Sequence, residues 1–256
     1  MESFEPALAS VVAALSRGEL RPEALVERAI TLHDEAGARL DAYVLWDPDG
    51  ARARAAALVA PRGPLWGVPV SVKDLYGVSG WPTHAGMRRR LPEAWEREGP
   101  LVRRLAGQGA VLVGKTHTVE LAFGGLGTNP HWPVPRNPWD ARVHRVPGGS
   151  SSGAGVSLAE GSALLALGTD TAGSVRIPAS FTGQVGLKTS PSRWSTAGIV
   201  PLSPTLDTPG LLARSVADAR IAFSALDRDP PRRPDPRDAL RPLRGARIAR
   251  LEPLLW

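Results

Sequence analysis

Hydrophobic and polar positions along this chain alternate between strand-like and helix-like patterns. In Gly67–Asp74 the valines at 68, 70 and 72 share one face, which predicts a strand with Lys73 on the opposite face. Ala110–Val113 is apolar throughout and predicts a buried strand. Helices are predicted at residues 6–17, 22–37, 49–58, 101–107 and 215–226. Strands that alternate with helices predict an α/β fold with a mainly parallel or mixed central sheet flanked by helices.

A serine-rich segment, Pro147–Pro191, departs from both patterns. It holds two small-residue loops, Gly148–Gly153 and Thr169–Ser174, where chain and substrate can approach closely. A helix that begins just after Ser174 would aim free backbone N–H groups at the neighbourhood of that serine. A hydroxyl nucleophile beside such donors is typical of acyl-transfer sites. Between the loops, Leu158–Leu167 fits a helix and its second half fits a buried strand, and the pattern does not decide between them.

Composition narrows the class of protein. The 256 residues are 43% hydrophobic and 22% charged, which is ordinary for a soluble globular protein. The absence of cysteine excludes disulfides, thiolate zinc sites and cysteine nucleophiles. No signal peptide is recognisable near the start, and no apolar stretch approaches the ~18 residues of a membrane span. We therefore expect a cytoplasmic protein without membrane contact.

The basic residues are unevenly divided between arginine and lysine. Of the 31 Lys and Arg residues, all are arginine except Lys73, Lys115 and Lys188. The arginines are scattered and form no basic stripe interleaved with aromatics, so the net charge of +6 does not indicate nucleic-acid binding. Arginine keeps its proton in proteins, whereas a buried lysine can become neutral and act as a base. Each lysine is therefore a candidate base.

Other motifs in the chain are weaker. Gly109–Thr116 fits a phosphate-binding P-loop, but its centre is the predicted strand at 110–113, whose N–H groups would be used in a sheet. Gly149–Gly153 fits the nucleophile elbow of α/β-hydrolases, but residues 142–147 make a poor preceding strand. None of the five histidines lies in a glycine-framed turn, and lysine is the other base that can activate a serine.

The serine-rich segment resembles the signature sequence of the amidase signature family. The likeness continues in the family's order on both sides, through Pro64–Gly86, Val113–Gly124, Asn137–Asp140 and Gly186–Asp218. It covers nearly the whole chain to about residue 227. The resemblance implies that family's mixed sheet flanked by helices. It also implies hydrolysis of a small-molecule amide at its C–N bond through an acyl-enzyme, with no cofactor and no metal.

The family works through a Ser–Ser–Lys triad, which the resemblance carries onto this chain. Ser174 matches the nucleophile, Ser150 matches the bridging serine that follows a cis peptide bond, and Lys73 matches the base. Neutral Lys73 would take a proton from Ser150, which would take one from Ser174. For this the pKa of Lys73 must fall by ~3 units from about 10.4, through burial or nearby charge.

The resemblance also assigns roles around the nucleophile. The oxyanion is expected to bind the backbone N–H groups of Thr171, Ala172, Gly173 and Ser174. Supporting roles fall on Ser151, Asp170 and Arg176. Ala172 stands where the family usually has glycine, and it keeps its N–H.

The sequence predicts a core domain at 1–227, a Pro/Arg-rich irregular segment at 228–246 and the start of a truncated C-terminal part at 247–256, with a strand opening at 247–251. Because family members are usually much longer, three explanations stay open: the chain is a fragment, a truncated reading frame or half of a two-chain enzyme. The partners considered are a second copy, in a homodimer, or a partner chain that supplies the C-terminal half. Two alternatives stay open. One is the glutamine-hydrolysing subunit of a tRNA-dependent amidotransferase, and the other is a catalytically silent remnant or binding protein.

Overall fold

The computed structural model describes residues 7–227, which form an α/β fold with seven helices and six strands. The helices are α1 (Leu8–Ser16), α2 (Pro22–Leu40), α3 (Pro48–Ala56), α4 (Pro100–Gly107), α5 (Ser152–Glu160), α6 (Arg176–Thr182) and α7 (Val216–Leu226). The strands are β1 (Tyr43–Trp46), β2 (Pro69–Lys73), β3 (Val111–Thr116), β4 (Leu165–Asp170), β5 (Val185–Lys188) and β6 (Thr208–Ala213). Short 3-10 helices lie at Glu93–Glu96 and Glu120–Ala122. In this part of the chain no helix is both long and apolar enough to cross a membrane.

All six strands belong to one mixed sheet, in the order β1-β3-β2-β4-β6-β5. The three central strands β3, β2 and β4 are parallel, and β1, β6 and β5 add antiparallel pairings. Because β2 and β4 are parallel neighbours, their last residues, Lys73 and Asp170, lie at the same edge of the sheet. The antiparallel β6 starts at that edge, where Thr208 pairs with Asp170. The topology therefore brings three strand ends together.

Side-chain alternation along the buried strands divides the core into two layers. Val70 and Val72 of β2 belong to the large apolar cluster that also contains residues of α1, α4 and α7. The other face carries α5 and α6, where Ala166 of β4 packs with Leu158. Ser71 lies on this second face, and the two-residue period puts Lys73 there as well, beside the start of α5.

The elements expected from the pattern are present, and the sheet is mixed as expected. All five predicted helices occur, and so do the strands predicted at 67–74 and 110–113, with ends displaced by a few residues. Residues 158–167, for which the pattern did not decide between helix and strand, contain both: α5 ends at Glu160 and β4 begins at Leu165. Three strands were not predicted. β1 and β5 are four-residue strands that are only half-buried, and Pro209 and Gly210 interrupt the period of β6. The predictions for 228–246 and 247–256 fall outside the described residues.

Candidate active site

Lys73 is a fully buried amine held by hydroxyl groups. Its side chain is 0% exposed, and its Nζ donates to Ser150 Oγ at 2.7 Å and to Thr169 Oγ1 at 2.9 Å. No carboxylate of the described residues lies within ion-pair distance of it. Burial lowers the pKa of Lys73 to about 7, although the charges of Asp170 and Asp207 oppose the shift. Near neutral pH this amine can therefore accept a proton.

The loop before α5 places Ser150 against this amine. The Gly149–Ser150 peptide bond is cis, as the resemblance implied, and the carbonyl of Ser150 accepts the Val119 N–H at 3.1 Å. Gly148 has a φ of 81° and packs on α6, where an added Cβ would lie 2.9 Å from Pro178 Cα. Only glycine suits that conformation and that contact. The small residues of this loop thus let it lie against α6.

Asp170 shapes the turn that carries Ser174. Its buried carboxylate accepts the N–H groups of Gly173 at 2.8 Å and Val175 at 3.2 Å, and it accepts both Nε and Nη2 of Arg176 at 3.0 Å. Burial alone would raise the pKa of Asp170, but these hydrogen bonds and the Arg176 charge hold it below its ordinary value. Asp170 is therefore bonded both to the backbone of the turn and to Arg176.

One of the four backbone N–H groups expected to bind the oxyanion is already occupied. The N–H of Gly173 is donated to Asp170, so it is not free to bind an oxyanion in this arrangement. The N–H groups of Thr171, Ala172 and Ser174 make no hydrogen bond within residues 7–227. Three of the four expected donors therefore remain available.

Ser174 lies at the wall of an open cleft of about 370 Å³, whose lining includes Phe123 and Ile177. Its side chain makes no hydrogen bond within the described region, and its carbonyl accepts the Ser151 N–H at 3.2 Å. Ser151 is itself fully buried beside β4. The structure thus brings Lys73 and Ser150 into contact and ties the two loops together. It does not join the hydroxyls of Ser150 and Ser174 by a hydrogen bond.

Two residues of this site escaped the sequence analysis. Thr169 accepts from the Lys73 amine, and Asp207 accepts the Thr171 hydroxyl at 2.6 Å. The strand alternation of β4 could have placed Thr169, had that strand been recognised with its register. Asp207 lies far along the chain from the turn it contacts, and only the pairing of β4 with β6 brings it there.

The weaker motifs do not form sites here. The P-loop-like pattern is occupied by β3, whose N–H groups pair in the sheet. No strand precedes the elbow-like pattern at 149–153. Of the histidines, His117 is buried, which lowers its pKa to about 4, and none hydrogen-bonds Ser150 or Ser174 among the described residues.

Comparison with known proteins decides the family, because the sequence model of the amidase family matches residues 24–254. The chain belongs to the amidase family. Its sequence is 59% identical to a 2-amino-5-chloromuconic acid deaminase of Comamonas testosteroni over 235 residues, which are 89% of this chain and 50% of that protein. It is 39% identical to a glutamyl-tRNA(Gln) amidotransferase subunit of Nitratidesulfovibrio vulgaris (strain DP4) over 223 residues, 86% of this chain and 45% of that protein.

Among solved structures, the crystal structure of an amidase resembles this chain with a TM-score of 0.81 at 42% identity. That match covers 86% of this chain and 51% of the solved amidase. This amidase-family chain therefore spans about half the length of the relatives it matches.

Proposed function

We propose that this protein is an amidase that cleaves a carboxamide or related C–N bond through an acyl-enzyme on Ser174. The observation that carries the proposal is the 2.7 Å contact between the buried amine of Lys73 and the hydroxyl of Ser150. A buried amine with a pKa of about 7 and a hydroxyl as its partner has the properties of a general base. The family supports the same reaction class.

The proposed reaction moves one proton along a relay. Lys73 takes a proton from Ser150, and Ser150 takes one from Ser174 as the Ser174 oxygen attacks the carbonyl carbon. The negative charge that develops on the carbonyl oxygen is held by the free N–H groups of Thr171, Ala172 and Ser174. The proton returns through Ser150 to the leaving nitrogen as the C–N bond breaks. Water then hydrolyses the ester on Ser174 by the same relay.

The relay requires the hydroxyls of Ser150 and Ser174 to come within hydrogen-bond distance when substrate is bound. Catalytic hydrogen bonds are often long without substrate and tighten in the complex. In line with this, the Ser174 side chain has no competing hydrogen bond within the described region. It is therefore free to turn towards Ser150.

The proposed substrate is a small carboxamide whose nitrogen leaves as ammonia, in line with the 59% identity to a 2-amino-5-chloromuconic acid deaminase. A homodimer or a complex with a partner chain is part of the same proposal, and so is a cytoplasmic location.

A second candidate is the glutamine-hydrolysing subunit of a tRNA-dependent amidotransferase, favoured by the 39% identity to an amidotransferase subunit. It would release ammonia from glutamine and would need partner subunits. An ammonia-release assay that compares glutamine with small amides, with and without candidate partner subunits, separates the two functions. Glutamine turnover that depends on the partners would favour the second.

Covalent labelling tests the site without a known substrate. A fluorophosphonate probe followed by mass spectrometry should modify Ser174, and Ser174→Ala should abolish the label. The matched control is Ser180→Ala, because Ser180 lies on the exposed side of α6, and this variant should label like the wild type. The same label on Ser174→Ala as on wild type would refute the assignment. A wild type that is not labelled at any pH would indicate a catalytically silent protein.

A further inference from the structure

Asp207 hydrogen-bonds both to the turn that carries Ser174 and to other residues of its own loop before β6. It precedes β6, at the sheet edge where Asp170 ends β4. One carboxylate oxygen accepts the Thr171 hydroxyl at 2.6 Å. The other accepts the N–H groups of Leu202 at 2.9 Å and Ser203 at 3.0 Å. A single carboxylate thus joins the nucleophile turn to the loop before β6.

The nucleophile turn, Thr171–Ser174, is held at its two ends by different carboxylates. Asp170 binds the N–H of Gly173 near the far end. At the near end, the bond from Thr171 to Asp207 is the hydrogen bond that fixes the side chain of Thr171 within the described residues. The unused N–H groups of Thr171 and Ala172 lie in this near half. Their direction therefore depends on the end that Asp207 holds.

The loop that Asp207 also holds forms a wall of the substrate region. Leu202 and Ser203 line the cleft beside Ser174. Leu202 and Asp207 line a neighbouring cleft of about 460 Å³, which reaches Thr169 beside the amine. One side chain therefore keeps the turn and the cleft wall in a fixed relation.

We infer that Asp207 is a positioning residue of the amidase site, which anchors the Thr171 hydroxyl so that the free N–H groups of the nucleophile turn face the reacting carbonyl. The inference deepens the proposed function and rests on it. A hydrogen bond from a hydroxyl to a carboxylate is among the stronger ones in proteins. Its loss should cost turnover about tenfold, because misdirected donors stabilise the oxyanion less.

The charge of Asp207 should affect the pH dependence of the reaction, which a purely structural role would leave unchanged. Two charges act on the Lys73 amine, those of Asp170 and Asp207, and both favour its ammonium form. Arg176 is paired with Asp170, and on the adjacent strand Lys115 is paired with Asp74. The neutral groups at the amine are the hydroxyls of Ser150 and Thr169.

Asp207→Asn keeps the shape and removes the charge, so the pKa of Lys73 should fall. The acid limb of kcat/KM should then move to lower pH, because the neutral amine persists further into acid.

The experiment separates the hydrogen bond from the charge with matched variants. Thr171→Val removes the hydroxyl alone, and Thr171→Ser restores it. Asp207→Asn removes the charge and also replaces one accepting oxygen by an NH₂ group. The control is Asp140→Asn, because Asp140 also accepts two backbone N–H groups and an arginine but is not among the charges that act on Lys73. Initial rates of ammonia release or fluorophosphonate labelling are measured against pH, and folding of every variant is checked by thermal unfolding.

The expected pattern is specific. Thr171→Val slows the reaction about tenfold with an unmoved acid limb, and Thr171→Ser restores most of the rate. Asp207→Asn slows it and moves the limb to lower pH, whereas Asp140→Asn changes neither. Wild-type rates in both Thr171→Val and Asp207→Asn would overturn the inference while the proposed function stands.

If the wild type shows neither turnover nor labelling, the proposed function fails, and the inference that rests on it fails as well.

Discussion

Two buried lysines on adjacent strands, Lys73 of β2 and Lys115 of β3, have the same side chain and the same burial but different partners. Both side chains are 0% exposed, and the register pairs Val72 with Lys115. The Lys115 Nζ lies 2.8 Å from Asp74 Oδ1 and donates to Thr83 Oγ1 at 2.7 Å and to the Pro82 carbonyl at 3.0 Å. Lys73 contacts hydroxyls in place of a carboxylate.

The difference shows that the partners of a buried amine decide its chemistry. Burial lowers the pKa of both lysines, but the charge and hydrogen bond of Asp74 oppose this at Lys115. At Lys73 the opposing charges are not in contact, and the pKa falls to about 7. Asp74 follows Lys73 directly in the chain, yet its carboxylate binds Lys115. Lys115 therefore forms a structural ion pair, whereas Lys73 has the lowered pKa that the proposed base requires.

The largest effect should come from Lys73→Met, which removes the base and leaves an apolar side chain in a buried site. We expect kcat/KM for amide hydrolysis, or the rate of fluorophosphonate labelling, to fall about 10³-fold. Thermal unfolding should occur no lower than in the wild type, since no buried partner carries an unpaired charge. The control is Lys188→Met, whose amine bonds only the Thr189 carbonyl in the described structure and whose rate should be unchanged. Wild-type rates in Lys73→Met would contradict the proposed role of Lys73 as the base.

Lys115→Met should lower the stability of the fold, which Lys73→Met should not. It leaves the carboxylate of Asp74 buried and without its cation, which should cost about 3–5 kcal/mol of unfolding free energy. Urea denaturation measures the change, and Lys115→Met with Asp74→Asn should recover part of it. If Lys73→Met destabilised the fold as much as Lys115→Met, the two lysines would not differ as described.

A smaller, pH-dependent effect separates the two lysines in the same folding experiment. Because the pKa of Lys73 is lowered to about 7 in the folded state, the unfolded chain binds more protons between about pH 7 and 10. Stability should therefore rise with pH across this window, by up to about 1.4 kcal/mol per pH unit relative to Lys73→Met. Below pH 7 both states are protonated and the difference should level off. Parallel stability curves for the two proteins across this window would contradict the lowered pKa.

Much of this arrangement was predictable from local patterns. The valine alternation in β2 put Lys73 on the face opposite the apolar core, and the scarcity of lysine marked it as a candidate base. Resemblance then paired it with Ser150. The hydrogen bond from the Gly173 N–H to Asp170 was not predictable, because it depends on the conformation of an irregular turn. Asp207 was missed because β6 carries Pro209 and Gly210 and shows no strand alternation.

The most direct test of the account is the titration of the Lys73 amine itself. The sequence contains lysine only at 73, 115 and 188, so ¹³C-labelled lysine gives a spectrum that Lys73→Met and Lys115→Met assign. The account predicts that one resonance, absent from Lys73→Met, titrates with a midpoint near pH 7. If the resonance of Lys73 instead titrates above about pH 9, as an ordinary lysine does, the buried amine is not the base.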